Sequence, residues 1–292
     1  MNETFRDRIR LEGDPVAAPE AQVRSGGARF TVLASRLLRL EWAPDEAFDD
    51  RPTYAFPNRR AEVPPFRVHP DGDETVVETA HLRLRHVSDG KPFSDRNLSV
   101  ELLNEPRSRW TPGLVDRWNL GGARRTVDSL RGEARLEPGL ASRSGWAVVD
   151  DGAGFRFTPD GGWVEPALPA GGRQDWYFFG YGHQYAEAVS EYVTRFGGTI
   201  PMPPRWVLGP WWSRYWAYRD RDLQALVEEF RSRGFPLDVL VIDMDWHTPD
   251  AWTGYTWNRD LFPDPAGFLA WVHRQHLHAT LNLHPALGVA PF

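Results

Sequence analysis

The 292-residue chain contains no cysteine. Disulfides, thiolate metal sites and a thiol nucleophile are therefore excluded. It also lacks any apolar run approaching the roughly 18 residues of a membrane span, so no membrane partner is expected. Its first residues, Met-Asn-Glu-Thr-Phe-Arg-Asp-Arg, have no apolar core of the kind a secretory signal needs, and a cytoplasmic location is the expectation. There is little excess of charge of either sign: 34 basic against 40 acidic side chains leave a net charge of −6. That balance argues against nucleic acid or an anionic surface as a partner. Internal repeats and low-complexity tracts are absent.

Tryptophan, by contrast, is abundant, with 14 copies. Before residue 180 the pattern is one of short alternating segments. Arg29 to Leu33 begins one strand. Leu38, Leu40 and Trp42 alternate with Arg39 and Glu41; Leu82 and Leu84 with His81, Arg83 and Arg85; Leu98, Val100 and Leu102 with Ser99 and Glu101. This is the period of half-buried antiparallel strands. Turn signals separate them at Pro70-Asp71-Gly72-Asp73, Asp89-Gly90, Asp150-Asp151-Gly152 and Pro159-Asp160-Gly161-Gly162. Many short strands at this spacing predict an antiparallel β-sandwich. A helix with Tyr185, Val189, Tyr192 and Phe196 on one side closes this part and stops at Gly197-Gly198. Pro201-Met-Pro-Pro204 then makes a stiff extended link. The expected domains are residues 1–200 and 201–292.

The second part reads as βαβαβ. Val207 to Trp212 is an apolar run bounded by prolines and predicts a buried strand. Asp220 or Asp222 can cap the next helix, on which Leu223, Leu226, Val227 and Phe230 form one stripe. Gly234 and Pro236 stop it. Val239 to Ile242 predicts a second buried strand. Asp264 as N-cap and Pro265 at the first helical position open a second helix, with Phe268, Leu269, Trp271 and Val272 on its apolar side. Thr280 to Leu283 predicts a third strand. The order predicts a parallel sheet. A (β/α)8 barrel needs about 250 residues, so the expectation is its first part only, about three strands, a truncated barrel with an open edge at strand three.

Polar chemistry gathers where these strands end. Asp243 and Asp245 follow the second strand, and alternation would put both carboxylates on one side. Two adjacent carboxylates repel unless a cation, a donor or a shared proton intervenes. Asp243 also fits a plain loop-capping role, whereas Asp245 reads as a ligand-binding acid. The pair also resembles the Asp-X-Asp that holds a divalent metal in nucleotide-sugar glycosyltransferases, a short motif with no nucleotide-binding companion in this sequence. Trp211, Trp212, Tyr215, Trp216 and Tyr218 follow strand one; Trp246, Trp252, Tyr255 and Trp257 follow strand two. Trp206 and Trp271 fit the core. Aromatic rings beside carboxylates suit a sugar, whose C–H face stacks while its hydroxyls bond to the acids. Arg214 can orient a strand-end acid or sit solvated, and His284 after strand three can donate to a hydroxyl or serve the structure.

Taken in order, these motifs resemble one family. Leu-Gly-Pro-Trp-Trp-Ser-Arg-Tyr-Trp-Ala-Tyr (208–218), Val-Leu-Val-Ile-Asp-Met-Asp-Trp-His (239–247), Trp-Thr-Gly-Tyr-Thr-Trp-Asn-Arg-Asp-Leu-Phe-Pro-Asp (252–264) and Leu-Asn-Leu-His-Pro-Ala (281–286) look like glycoside hydrolase family 31, the α-glucosidase and α-xylosidase family. The likeness extends back through Asn-Leu-Gly-Gly-Ala-Arg-Arg-Thr-Val-Asp (119–128) and Gly-Leu-Ala-Ser-Arg-Ser-Gly-Trp-Ala-Val-Val-Asp (139–150). It implies a β-sandwich ahead of a (β/α)8 catalytic barrel, exo-acting retaining α-glycosidase chemistry, a glycoside substrate, and no cofactor or metal. Asp245 matches the acid that binds a hydroxyl of the terminal sugar, and Trp216 a tryptophan of the same subsite. Asp243, Trp246 and His284 are expected beside them, and Asp128 lies on a segment similar to a loop that reaches over the pocket. The family's nucleophile follows strand four and its acid/base follows strand six. Neither matches a residue here, so no catalytic residue is expected and the chain alone should be inactive. A metal-dependent glycosyltransferase and a non-catalytic sugar-binding protein are the competing readings.

Overall fold

A computed structural model describes residues 10–104, 108–124, 131–134, 136–168, 171–198, 202–248 and 254–284. The chain separates into two compact units, Met1–Ile200 and Pro201–Phe292.

The first unit carries twelve short strands: β1 (Gln22–Ser25), β2 (Ala28–Ala34), β3 (Leu37–Trp42), β4 (Phe66–Asp71), β5 (Glu74–Thr79), β6 (Leu82–Val87), β7 (Leu98–Leu102), β8 (Arg109–Trp110), β9 (Ala147–Asp150), β10 (Arg156–Phe157), β11 (Val164–Glu165) and β12 (Gln174–Phe179). Two five-stranded antiparallel sheets result, ordered β1-β2-β3-β12-β9 and β4-β5-β6-β7-β8, beside the pair β10-β11. The turn between β4 and β5 is a two-residue hairpin closed by the Asp71↔Glu74 pair, with Gly72 at φ +58°. The loop is Gly72-Asp73, and a left-handed glycine at its first position matches the twist of the flanking strands.

Alternation accounts for the main core. Phe30, Val32, Leu38, Leu40 and Phe178 from one sheet pack with Val77, Leu82, Leu84, Leu98 and Val100 from the other. A second cluster, with Leu37, Tyr177 and Phe179, is covered by Phe56 and by the helical segment α1 (Tyr185–Glu191), which widens into a π-turn ending at Phe196.

The expectation of half-buried strands fails on β2 and β3, where every residue is buried. The polar face is sealed by a cluster of ions. Arg39 donates from Nε and Nη2 to Asp175 at 2.8 Å each, and Arg29 donates to both oxygens of Glu41 at 2.7 and 2.8 Å. Asp50 receives from Arg29 and Arg39, and Arg59 donates to the Tyr177 hydroxyl at 2.6 Å. Paired this way, the charges can leave water, as buried charges must. Burial pushes the Glu41 carboxyl up, against the pull of Arg39 and Arg29.

The second unit is built on a three-stranded parallel sheet, β13 (Trp211–Trp212), β14 (Val239–Ile242) and β17 (His278–Leu281), with β14 in the middle. Between β14 and β17 lies the hairpin β15 (His247–Thr248) and β16 (Thr256–Trp257), which the sequence reading missed. The expected first strand is mostly not one. Arg205–Leu208 winds into a 3₁₀ turn, and only Trp211–Trp212 pairs. Gly209 follows that turn, and a Cβ there would lie 1.9 Å from Asp238 Oδ2, so that side chain would have to move. The third strand lies two residues earlier than expected. Helix α2 (Asp220–Ser232) buries Leu223 and Val227, and Asp222 accepts from Arg219 N at 3.0 Å. Helix α3 (Pro265–Arg274) is capped by Asp264, which accepts from Gly267 N at 3.0 Å. Both helices join the core with Leu240, Ile242, Trp246 and Phe262. Among the described residues β17 has one strand neighbour, and no helix is long and apolar enough to cross a membrane.

Candidate functional site

In a parallel sheet all C-terminal strand ends share one rim, where such folds keep their chemistry. Here that rim comprises Ser213 after β13, Asp243 after β14 and Asn282 after β17. Their side chains meet. Asp243 Oδ1 accepts from Asn282 Nδ2 at 2.7 Å and from Met244 N at 2.8 Å, while Oδ2 accepts from Ser213 Oγ at 3.3 Å. One carboxylate thus ties all three strand ends together.

Asp245 is different. Its φ of +69° is left-handed, a conformation uncommon outside glycine, asparagine and aspartate. Strain of this kind persists only where the surroundings hold it. Asn258 does so: its Nδ2 donates to Asp245 O at 3.3 Å, and its own N donates to Trp246 O at 2.7 Å. The carboxylate of Asp245 has no protein partner among the described residues and is partly exposed. The expectation that alternation would place both acids side by side is corrected. The strand ends at Ile242, and the left-handed turn gives the two acids separate jobs.

The aromatic residues divide as well. Trp216 is 58% exposed and Tyr215 67%, and the Arg214 guanidinium lies 5.0 Å from the Trp216 ring centroid. Arg214 makes no ion pair with a carboxylate among the described residues; it stacks on the ring instead. Trp246, expected at the rim, is 3% exposed. Its Nε1 donates to Asn282 O at 2.9 Å, and its ring meets Trp257 edge-on at 5.1 Å. It is a core residue that braces the rim from beneath. Trp206 stacks on His278 at 3.8 Å. His284 is exposed, two residues past Asn282. Asp128 lies outside the described residues.

Three residues of this arrangement escaped the sequence reading. Ser213 and Asn282 are the polar residues directly after their strands, and that position was the available signal. His247 is the third: it is 2% exposed, with neither ring nitrogen hydrogen-bonded. Its ring fits because residue 254 is glycine, where a Cβ would come within 2.9 Å of Nδ1.

Comparison with known proteins follows this geometry. Residues 200–291 match the family described as "Glycosyl hydrolases family 31 TIM-barrel domain". An alpha-xylosidase of Saccharolobus solfataricus is 28% identical over 120 residues, which are 41% of this chain and 16% of that protein. Alpha-xylosidase XylQ of Lactiplantibacillus pentosus is 26% identical over 179 residues, 60% of this chain and 23% of that protein. The chain thus spans less than a quarter of the length of either relative. Among solved structures, a family 31 dextranase of Flavobacterium johnsoniae superposes with a TM-score of 0.62 at 16% identity, over 89% of this chain and 36% of that one, a likeness of fold. With the ordered motif series, these matches show a likeness to the N-terminal portion of glycoside hydrolase family 31, whose barrel-domain model matches residues 200–291.

Proposed function

We propose that these residues form the N-terminal β-sandwich and the opening strands of the (β/α)8 barrel of an exo-acting retaining α-glycosidase, with Asp245 holding a hydroxyl of the terminal sugar. The observation that carries this is the Asp245 carboxylate itself, left without a protein partner on a left-handed backbone at the strand-end rim. Asp243 is the residue that positions it, by locking the rim through Ser213 and Asn282. Trp216, exposed on the loop after β13, offers a ring for the sugar's C–H face. Trp246 acts from below by holding Asn282. The relatives' names favour an α-xyloside or α-glucoside as substrate.

Retaining hydrolysis needs two carboxyl groups about 5–5.5 Å apart across the scissile bond. Asp243 has both oxygens engaged by donors, and Asp245 matches the substrate-holding end of the site. Neither is assigned the nucleophile or the acid/base, and we infer no turnover by these 292 residues alone. The same geometry weakens the metal-dependent transferase reading, because the lone pairs of Asp243 already face an amide, a hydroxyl and a backbone N–H rather than a cation. Sugar binding without turnover follows from the proposal.

The test is calorimetric titration of methyl α-xyloside and methyl α-glucoside into the purified chain, with Asp245→Asn and Asp245→Ala alongside. A hydrogen bond to a charged group is worth about 1.5–3 kcal/mol, so either substitution should weaken binding roughly 10- to 150-fold. Affinity within twofold of the parent would remove Asp245 from the site. Hydrolysis of an aryl α-glycoside by the chain, lost with Asp243→Ala or Asp245→Ala, would overturn the division of roles.

A further inference from the structure

The first unit holds a pocket that the strand-end rim does not explain. It lies beside the sheet end of β8, β9 and β12 and encloses about 460 Å³, within the roughly 300–1,000 Å³ usual for small-ligand sites. Three tryptophans wall it: Trp110, Trp146 and Trp176. Trp110 stands edge-on to Trp176 at 6.1 Å and tilted against Trp146 at 6.4 Å, so the three rings make one continuous wall. Trp110 is 4% and Trp146 6% exposed, while Trp176 is only partly buried.

What sets this wall apart is its hydrogen-bonding. A buried indole N–H ordinarily finds a partner. Among the described residues none of these three donates to a protein acceptor, and none is sealed from solvent in the way Trp212 Nε1 is. Three indoles whose N–H groups no protein acceptor claims therefore line one largely apolar space. The facing loop is rigid. Asp116 Oδ1 accepts from Trp118 N at 3.1 Å, Ser142 Oγ at 2.8 Å and Ser144 Oγ at 2.9 Å, and Oδ2 accepts from Asn119 Nδ2 at 3.1 Å. Leu114, half exposed, gives that side an apolar lip. Asp150, also on the wall, engages Oδ1 with Gly152 N at 2.9 Å and leaves Oδ2 for a hydroxyl.

We propose that this pocket is a second carbohydrate site, taking one pyranose ring with its C–H surface against the tryptophans, its ring and hydroxyl oxygens accepting from the indole N–H groups, and one hydroxyl donating to Asp150. A purely apolar ligand would leave the three donors unmatched, and an anion would meet Asp150 rather than a cation. A sugar supplies apolar surface, acceptors and a donor together. Such a site would hold a glycan by the first unit independently of the strand-end rim. The choice of an α-glucan as probe rests on the function proposed above; the pocket's chemistry does not.

Indole N–H resonances give a direct test. The intact chain, labelled with ¹⁵N, has 14 tryptophans, and the pocket signals are assigned by Trp110→Phe, Trp146→Phe and Trp176→Phe. Isomaltotriose should move the three pocket indoles along one saturating curve, and Trp176→Ala should weaken that binding at least tenfold. Trp176→Phe keeps the ring packing and removes one donor, so it should fold as the parent does and bind several-fold more weakly. Asp245→Ala should leave the curve unchanged. Pocket indoles that stay still at saturating isomaltotriose, or binding lost with Asp245→Ala and indifferent to Trp176→Phe, would overturn the proposal while sparing the Asp245 site. Moving pocket indoles with no response from the Asp245 variant or the Trp216 resonance would uphold the pocket and count against the rim.

Discussion

Replacing Asp175 by asparagine keeps the shape of the side chain and removes its charge. Asp175 is 8% exposed and accepts twice from Arg39 at 2.8 Å and once from Arg156 Nη2 at 3.3 Å. Burial alone pushes its carboxyl up. The pull of Arg39, with Arg59 and Arg156 behind it, outweighs burial and holds the group below the usual carboxylate range. An asparagine offers one acceptor and turns its NH₂ toward a guanidinium, so Arg39 keeps a buried charge with half its partner gone. Breaking a buried pair from one side costs about 3–5 kcal/mol. Arg39→Met with Asp175→Leu removes that pair but also takes a partner from Arg156, Glu41 and Asp50, so it should cost at least as much as Asp175→Asn alone. Urea denaturation of the three proteins, followed by circular dichroism, reads both quantities. Because the carboxyl is depressed in the folded protein, its contribution is present above the unfolded value and is lost as pH falls through the folded one. An Asp175→Asn protein within about 1 kcal/mol of the parent, or a double variant more stable than the single, would refute the view that the charges are held by their partners.

The remaining expectations are smaller. Asp264→Ala removes the acceptor for Gly267 N and should destabilise the second unit by about 1 kcal/mol, read by urea unfolding. A double-mutant cycle on Asp243→Ala and Asn282→Ala should show a coupling of about 0.5–3 kcal/mol, and an additive cycle would break the proposed tie. His86, 2% exposed between Phe30 and Phe93, is pushed by burial from 6.5 down to about 4. The unfolded chain then binds the proton first, so stability should fall as pH drops from 6.5 toward 4, by at most about 3 kcal/mol, and His86→Phe should flatten that slope.

The parts of the fold that were legible in the sequence are those governed by local rules. The Asp264-Pro265 helix start, the α2 stripe, the Asp71-Gly72 turn and the β14 run depend on neighbours three or four residues away. The parts that were not legible depend on distant partners. Arg39 and Glu41 alternate with leucines and read as solvent-facing, yet Asp175, 136 residues from Arg39, removes them from water. Nothing local to β3 records that pairing.

The two acids of the rim show how far spacing carries and where it stops. Spacing alone put Asp243 and Asp245 at a strand end with Met244 between them and a tryptophan after them, and both are there. Alternation then assumed that the strand continues. It ends at Ile242, and the left-handed residue at 245 turns the chain so that Trp246 enters the core. That inward turn has a consequence for the site. The indole N–H of Trp246 and the carboxylate of Asp243 both bind Asn282, one through its backbone oxygen and one through its side-chain amide. Asn282 is therefore fixed at both ends, and the β17 end is locked to β14 before any ligand arrives. A site on rigid strand ends loses little ordering entropy on binding. Of the three acidic and aromatic residues at this turn, Asp243 and Trp246 immobilise the frame, and Asp245 is the one whose carboxylate has no protein partner among the described residues.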